Sequence, residues 1–263
     1  MKINTPKDRF SLSIDPSWRV LEIGGGHNPH PRANVVVDKY DNTNNGHRAG
    51  DIVVRKGQEF ILADGENLPF EDDEFDYVIC CHVIEHVENP TQFVKEMTRV
   101  GKRGYLEMPS LMGEYLVPKG SHEWVFMDID DTVVGLKKNS VGPIGEDLDF
   151  GDFFLYYLQR ESIAFKLLIE TYPNILTVRY EWEDSLAIEM NPTDEKVRDY
   201  FHGAWTKEQI LNQFPKRTLK QELSVFFNAF MHLTRAMFSK IITGQRLRKL
   251  DNSIGLNTQK VKS

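Results

Sequence analysis

The stretch Val20-Leu21-Glu22-Ile23-Gly24-Gly25-Gly26-His27-Asn28-Pro29, followed by Val35-Val36-Val37-Asp38, decides the fold. An apolar run ending in glycines reads as a buried parallel strand that turns sharply toward a helix, and glycine lets the backbone approach a ligand closely. The second apolar run ends in Asp38, where a carboxylate accepts hydrogen bonds from the hydroxyls of a ribose, as in dinucleotide sites. The glycine spacing does not match the pattern that cradles a pyrophosphate. Taken alone, the same residues also read as an ordinary strand-end carboxylate at Glu22 and a plain glycine turn.

A third segment adds to this reading. Ala63-Asp64-Gly65-Glu66-Asn67-Leu68-Pro69-Phe70 precedes Phe75-Asp76-Tyr77-Val78-Ile79-Cys80-Cys81-His82-Val83-Ile84-Glu85-His86-Val87, and the run closes at Arg99-Val100-Gly101-Lys102-Arg103-Gly104-Tyr105-Leu106-Glu107-Met108-Pro109-Ser110. With these motifs in this order, the chain from about Val20 to Ser110 resembles the class I S-adenosylmethionine-dependent methyltransferases, of the type 11-like kind. The resemblance implies that the turn carrying Glu22, Gly24, Gly25 and Gly26 lies under the methionine part of the cofactor. It also implies that Asp38 binds the ribose, that Asp64 faces the adenine amino group with Gly65 beside it, and that His82 ends the fourth core strand beside the donor. The family often has a third glycine where Asn28 stands, and Pro29 and Pro31 follow; the turn is therefore expected to be stiff and the helix after it short.

Strand-like runs alternate with helical stretches as far as Ser110, which argues for β-α-β units with helices on both faces of an open sheet. The expected fold is α/β, a Rossmann-like doubly wound seven-stranded sheet, mostly parallel with an antiparallel edge strand. Ligands of such sheets collect at the carboxyl ends of the strands, where Gly24, Asp38, Asp64 and His82 would converge. Residues 124–136 read as a β-hairpin around an acidic turn, inserted within about 111–152 at the mouth of the site. Phe153 to Thr171 reads as helix, and Ile175–Tyr180 with Leu186–Met190 as the last two strands, joined by the turn at Glu181 to Ser185. The organisation expected is a cofactor-binding domain over 1–190 and a helical, basic extension over 191–263.

Composition agrees with a soluble enzyme. At 263 residues and 40% hydrophobic content the chain can bury a substantial core. Its two cysteines argue against a disulfide-held module, and Cys80 and Cys81, adjacent in a strand, point to opposite faces and suit packing. No signal-peptide core and no run of about 18 apolar residues is apparent, so cytoplasm is the expected compartment. From Lys216 onward ten Lys/Arg face two Asp/Glu, a net +8, which leaves −15 on residues 1–215. An acidic body repels phosphate backbones, so nucleic acid is not expected as a substrate.

Methyl transfer asks the protein to align an acceptor and, for a hydroxyl, to remove its proton. His122, in Lys119-Gly120-Ser121-His122-Glu123-Trp124, is the preferred candidate base and His82 the competing one; His122 also reads as a plain loop histidine. Trp124 and Tyr115 read either as flat faces for a sugar or, for Trp124, as core. Glu85 and His86 read as capping or orienting the following helix, and Asp72, Asp73, Glu74 and Asp76 as a solvated loop. No metal site stands out by ligand spacing. The Glu107-x-Pro109-Ser110 strand end, the His122-x-Trp124 segment and the acidic hairpin resemble methyltransferases of bacterial cell-surface glycan pathways. The resulting expectation is transfer from S-adenosylmethionine to a small-molecule or sugar acceptor, at oxygen. The alternatives are N- or C-methylation of a small metabolite or lipid-linked intermediate, and a scaffold that binds the cofactor without catalysis. Leu219, Leu223, Phe226, Phe227, Phe230, Leu233, Met237, Phe238, Ile241 and Ile242 recur at helical spacing, with Gly244 placed to stop the helix and Arg246, Arg248 and Lys249 after it. That stripe suits peripheral attachment to an anionic membrane, dimerisation or core packing.

Overall fold

The computed structural model describes residues 1–41, 50–145, 149–172 and 174–243. Its strands are β1 (Lys2–Asn4), β2 (Val20–Ile23), β3 (Val35–Asp38), β4 (Glu59–Leu62), β5 (Tyr77–Cys81), β6 (Arg103–Pro109), β7 (Trp124–Ile129), β8 (Thr132–Lys137), β9 (Thr177–Glu183) and β10 (Ile188–Met190). Its α-helices are α1 (Pro90–Val100), α2 (Leu111–Leu116), α3 (Lys138–Val141), α4 (Leu158–Glu161), α5 (Ile163–Thr171), α6 (Glu195–His202), α7 (Lys207–Gln213) and α8 (Leu219–Thr243). A 3-10 turn spans Ile84–His86 and a π-helical turn Asp152–Tyr157.

Seven strands form one sheet in the order β1-β9-β6-β5-β2-β3-β4. The five from β6 to β4 run parallel, and β9 lies antiparallel against β6, as the Rossmann-like class requires. The outermost place beyond β9 is taken by β1, from the amino-terminal segment. Ile188–Met190 does not pair with β9, contrary to the expectation from sequence. The chain reverses at Asp184, with φ of +62°, and β10 instead runs parallel to β8 in a second sheet of order β10-β8-β7. Both edges of β9 are occupied by β6 and β1, so no ladder position remains for it.

Residues 24–34 between β2 and β3 form turns and no helix, so even the short helix expected there is absent. Proline has no amide hydrogen and biases the residue before it toward extended backbone, so Pro29 and Pro31 deny this segment the start of a helix. Where a helix would lie, the amino-terminal arm covers the sheet. Leu12, Ile14 and Trp18 pack against Val20, Tyr77, Ile79, Cys81 and Tyr105, with the Trp18 and Tyr77 rings stacked 6.0 Å apart. The opposite face carries α1. Asn89 caps it by accepting the Gln92 N–H, Pro90 opens its first turn, and Phe93, Val94, Met97 and Val100 are buried against Leu21, Ile23, Val78 and Cys80. Both cysteines are free and buried.

The inserted hairpin forms as read. Asp130 and Asp131, at φ of +49° and +57°, make its two-residue turn, a left-handed pair that Asp tolerates. Strand β7 is buried on both sides: Trp124 and Phe126 join the main core, while Val125, Met127 and Ile129 pack with Tyr200 and Phe201 of α6. The first compact unit therefore extends beyond residue 190, to Arg217, and a second begins at Thr218. In that second unit, α8 exposes Leu219, Leu223, Phe226, Phe227, Phe230 and Leu233. Gly244, Arg246, Arg248 and Lys249 lie outside the described residues. Among the described residues no helix is long and apolar enough to cross a membrane.

Packing at β6 sets a testable limit. A Cβ on Gly104 would lie 2.5 Å from the Val78 carbonyl oxygen and 2.7 Å from the Trp182 ring, whereas one on Gly145 would meet nothing within 4 Å. Gly104→Ala should lower the unfolding free energy by about 1–3 kcal/mol through overpacking, and Gly145→Ala should stay within about 0.5 kcal/mol of the parent. Denaturant titration of both variants checks this; equal midpoints would refute the contact.

Candidate functional site

The carboxyl ends of β2, β3, β4 and β5 bring the sequence-selected residues to one edge of the sheet. Gly24 turns the chain at φ of +74° and donates its N–H to the Val37 carbonyl at 2.7 Å. A Cβ there would stand 2.1 Å from Val83, and one on Gly25 would stand 2.6 Å from Val36, so β3 and the segment after β5 close over the turn. Glu22 is buried; its carboxylate accepts the His30 N–H and lies 3.1 Å from the Arg9 guanidinium. Burial pushes its pKa up, against the opposing pull of Arg9 and the His30 amide. Arg9 also donates to the Asn28 carbonyl at 2.7 Å, and Arg55 to the Pro29 carbonyl at 2.9 Å. These two arginines hold the glycine loop, and neither was legible in sequence because both sit in irregular segments without periodicity.

Asp38, at the end of β3, is buried and accepts the Tyr40 N–H at 3.0 Å. Asp64, just after β4, accepts the Glu66 N–H at 3.0 Å and pairs with Lys39 at 2.7 Å. Burial opposes its ionisation, but that amide and the Lys39 ammonium hold its pKa below the ordinary value. Gly65 admits the ring of Phe93, whose nearest carbon would lie 2.4 Å from a Cβ. Asp38 and Asp64 place carboxylate oxygens at the strand ends, the acceptor type to which ligand hydroxyl and amino groups donate. The donor set therefore fits a nucleoside with a cationic sulfur: two strand-end carboxylates, a glycine turn, and a concentration of buried acids around them.

His82 directly follows β5 at φ of +56°, a left-handed conformation unusual for a side-chain-bearing residue. Its Nε2 lies 3.2 Å from Glu107 and its Nδ1 3.3 Å from Glu85. Desolvation lowers its pKa, yet the hydrogen bonds and charges of Glu107 and Glu85 prevail and push it up to about 10. Glu107 in turn is held down to about 2: burial opposes this, and His82, Arg179 and the Tyr105 hydroxyl outweigh it.

The insertion supplies the other wall. Ser110 caps α2 by accepting the Gly113 N–H, and this helix carries Glu114, whose carboxylate is 1% exposed. Glu114 accepts Nδ1–H of His122 at 2.6 Å and the Lys138 ammonium at 2.8 Å. Burial opposes its ionisation, and these two partners keep its pKa low. The other ring nitrogen of His122 lies 4.0 Å from Glu85. Segment 121–124 is pinned to the 3-10 turn by Glu123 N–H to the Glu85 carbonyl at 2.8 Å and by Trp124 Nε1–H to the Val87 carbonyl at 2.9 Å. His122, Lys137, Lys138, Asn139 and Ile144 line an open cleft of about 380 Å³.

His82 and His122 are thus brought to the same carboxylate, Glu85, which the sequence alone suggested, with His86, as capping or orienting the following helix. Asn89 caps that helix instead. Trp124 is core, with the Lys137 ammonium 4.2 Å over its ring, while Tyr115 remains exposed.

Residues 35–106 match the family model described as a methyltransferase domain. An uncharacterised protein of Methanocaldococcus jannaschii is 36% identical over 89 residues, which are 34% of this chain and 42% of that protein. An uncharacterised methyltransferase of Mycobacterium leprae is 43% identical over 77 residues, 29% of this chain and 28% of its own length. The chain therefore spans less than half the length of these relatives. A crystal structure of an S-adenosylmethionine-dependent methyltransferase from Mesorhizobium loti aligns over 66% of this chain and 95% of its own, at a TM-score of 0.37 and 14% identity.

Proposed function

We propose that this methyltransferase domain, of the class I S-adenosylmethionine-dependent type, methylates an oxygen of a small-molecule or sugar acceptor. The observation that carries the reading is the buried Glu114–His122 pair at the mouth of a strand edge bearing Asp38 and Asp64. Asp38 would take the ribose hydroxyls, Asp64 with Gly65 the adenine, and the turn at Gly24, Gly25 and Gly26, backed by Glu22, would underlie the methionine part. When bound, S-adenosylmethionine supplies a methyl group on a positively charged sulfur, already activated for attack.

Glu114 takes the Nδ1–H of His122 and so fixes the ring, leaving Nε2 as the nitrogen that meets an acceptor hydroxyl. His82 faces carboxylates with both nitrogens, so it contributes positive charge and positioning and offers no lone pair for a proton. The cleft beside His122 gives the acceptor its place. Support for a sugar comes from the likeness to cell-surface glycan methyltransferases in the strand end at Glu107, Pro109 and Ser110, in His122 and Trp124, and in the acidic hairpin.

We infer further that α8 attaches to an anionic membrane surface. Its exposed Leu and Phe stripe matches an interfacial helix, and the +8 charge of the region from Lys216 onward complements acidic headgroups rather than the −15 of the remainder.

Hydrogen bonds to a charged acceptor contribute roughly 1.5–3 kcal/mol each, so Asp38→Ala should weaken S-adenosylmethionine binding at least tenfold while the fold persists. Calorimetry measures this, and unchanged affinity would remove Asp38 from the site. His122→Ala should lower turnover about a hundredfold in a screen against sugar nucleotides, with cofactor affinity intact; turnover equal to the parent would reject its role. For α8, the full chain should sediment with anionic vesicles at low salt and release as salt rises, whereas a chain ending at Pro215 should not sediment. Indifference of the full chain to anionic vesicles would dismiss the membrane.

A further inference from the structure

We propose that Glu85, His86 and His122 form a binding site for a divalent transition-metal cation, through which the acceptor hydroxyl is engaged. This rests on the reading of His122 given above and changes one step of it: Nε2 would hold the cation, and the cation would engage the acceptor hydroxyl in place of that nitrogen. The ligand atoms of the three residues lie within 4.8 Å of one another, although His122 stands far along the chain from the Glu85–His86 pair. In a tetrahedral zinc site neighbouring ligand atoms are about 3.4 Å apart, given metal–ligand distances near 2.0–2.1 Å. Small rotations of the two rings, which already meet edge to face at 4.8 Å, would close the difference.

The surroundings are those of a metal site. Nδ1–H of His122 is given to Glu114 at 2.6 Å, and Nδ1–H of His86 to the Ser121 carbonyl at 2.9 Å. Anchoring one ring nitrogen to an oxygen acceptor sets the tautomer whose other nitrogen carries the lone pair, the arrangement found behind most ligating histidines. The third group is a carboxylate 1% exposed, whose Oε2 has no hydrogen-bond partner and whose Oε1 meets the His82 ring at longer range. His82 lies 3.3 Å from one oxygen, Oε1. With His82 beside one oxygen only, the other is left buried without a donor, which is costly unless a further donor or cation meets it.

Two imidazoles and one carboxylate suit zinc and its first-row neighbours and leave coordination positions open. His122 also borders the cleft, and open positions reached from it would take hydroxyl oxygens. A polyol with adjacent hydroxyls, the chemistry of a sugar, can occupy two of them at once. Coordination makes a bound hydroxyl more acidic, which is the activation assigned to His122, now delivered through the cation.

The full chain, stripped with a chelator and dialysed, would be titrated with Co²⁺ and followed by its visible d–d bands, then challenged with Zn²⁺ in a calorimeter. One equivalent should bind and be displaced by zinc. Glu85→Gln, His86→Ala and His122→Ala should each weaken binding at least tenfold, and His202→Ala, on the exposed end of α6, should not. No stoichiometric binding by the folded parent overturns the site, as does affinity unchanged in all three variants. Should any one variant fail to fold, the parent spectrum and the remaining variants still decide. Full turnover by the stripped protein, with loss in His122→Ala, would reject the cation and leave direct proton transfer to His122. Full turnover in His122→Ala would instead reject the role of that residue.

Discussion

The carboxylate of Glu107 ties together three strands that run in two directions. It meets His82 at the end of β5, the Tyr105 hydroxyl within β6 and the Arg179 guanidinium on β9. A second buried acid repeats the device one strand-width away, where Tyr77 on β5 donates to Glu181 on β9 at 2.6 Å. Antiparallel β9 is thus joined to the parallel set by polar contacts as well as by its ladder, on the face that the helix α1 leaves uncovered. Because an ionised carboxylate in a low-dielectric setting is stable only with its donors in place, these contacts hold the ends of β5 and β6 in one arrangement.

That arrangement concentrates negative charge where the strands end. Glu22, Glu85, Glu107 and Glu114 are buried or nearly so; Glu22, Glu107 and Glu114 each have hydrogen-bonded or charged partners on their carboxylates, whereas Glu85 has the His82 ring beside Oε1 and no hydrogen-bond partner on Oε2. An edge built this way favours cations, and on the proposed reading these would be a positively charged sulfur on the glycine side and a metal ion at Glu85. The turn that follows β5, Ile84–His86, carries Glu85, which lies 3.3 Å from His82 and 4.0 Å from His122 and so stands between the two histidines. Proximity of that kind is what methyl transfer asks of a protein, since the donor is already reactive and alignment does the remainder.

The amino-terminal arm explains why so little helix is needed. Residues 10–18 carry Leu12, Ile14 and Trp18 onto the sheet, and Arg9 continues to Glu22, so one irregular segment both covers the apolar face and anchors the glycine loop. The stacking of Phe10 on His30, with ring centroids 5.6 Å apart, extends the same contact along the loop. Burial and Arg9 lower the pKa of His30 to about 4, which keeps its ring neutral beneath that arm at physiological pH.

Runs such as Val20–Ile23, Val35–Asp38 and Tyr77–Cys81 were readable as strands because central parallel strands are buried on both faces and must be apolar throughout. The strand-end positions of Gly24, Asp38, Asp64 and His82 followed from those runs, since a ligand edge lies where parallel strands stop. The hairpin at Asp130 and Asp131 was equally local, a matter of turn chemistry. Beyond this, sequence had no purchase. The pairing of β1 with β9, of β10 with β8, and of Arg9 with Glu22 joins segments too short or too irregular to carry a period. Glu85 and His86 read as capping or orienting the following helix, whereas the fold brings His122 beside them, with Glu114 behind it. Local patterns encode which face of an element is apolar, and that alone determined the sheet and its ligand edge. Which polar groups meet inside depends on how distant segments close over one another, and only the tertiary structure decided that.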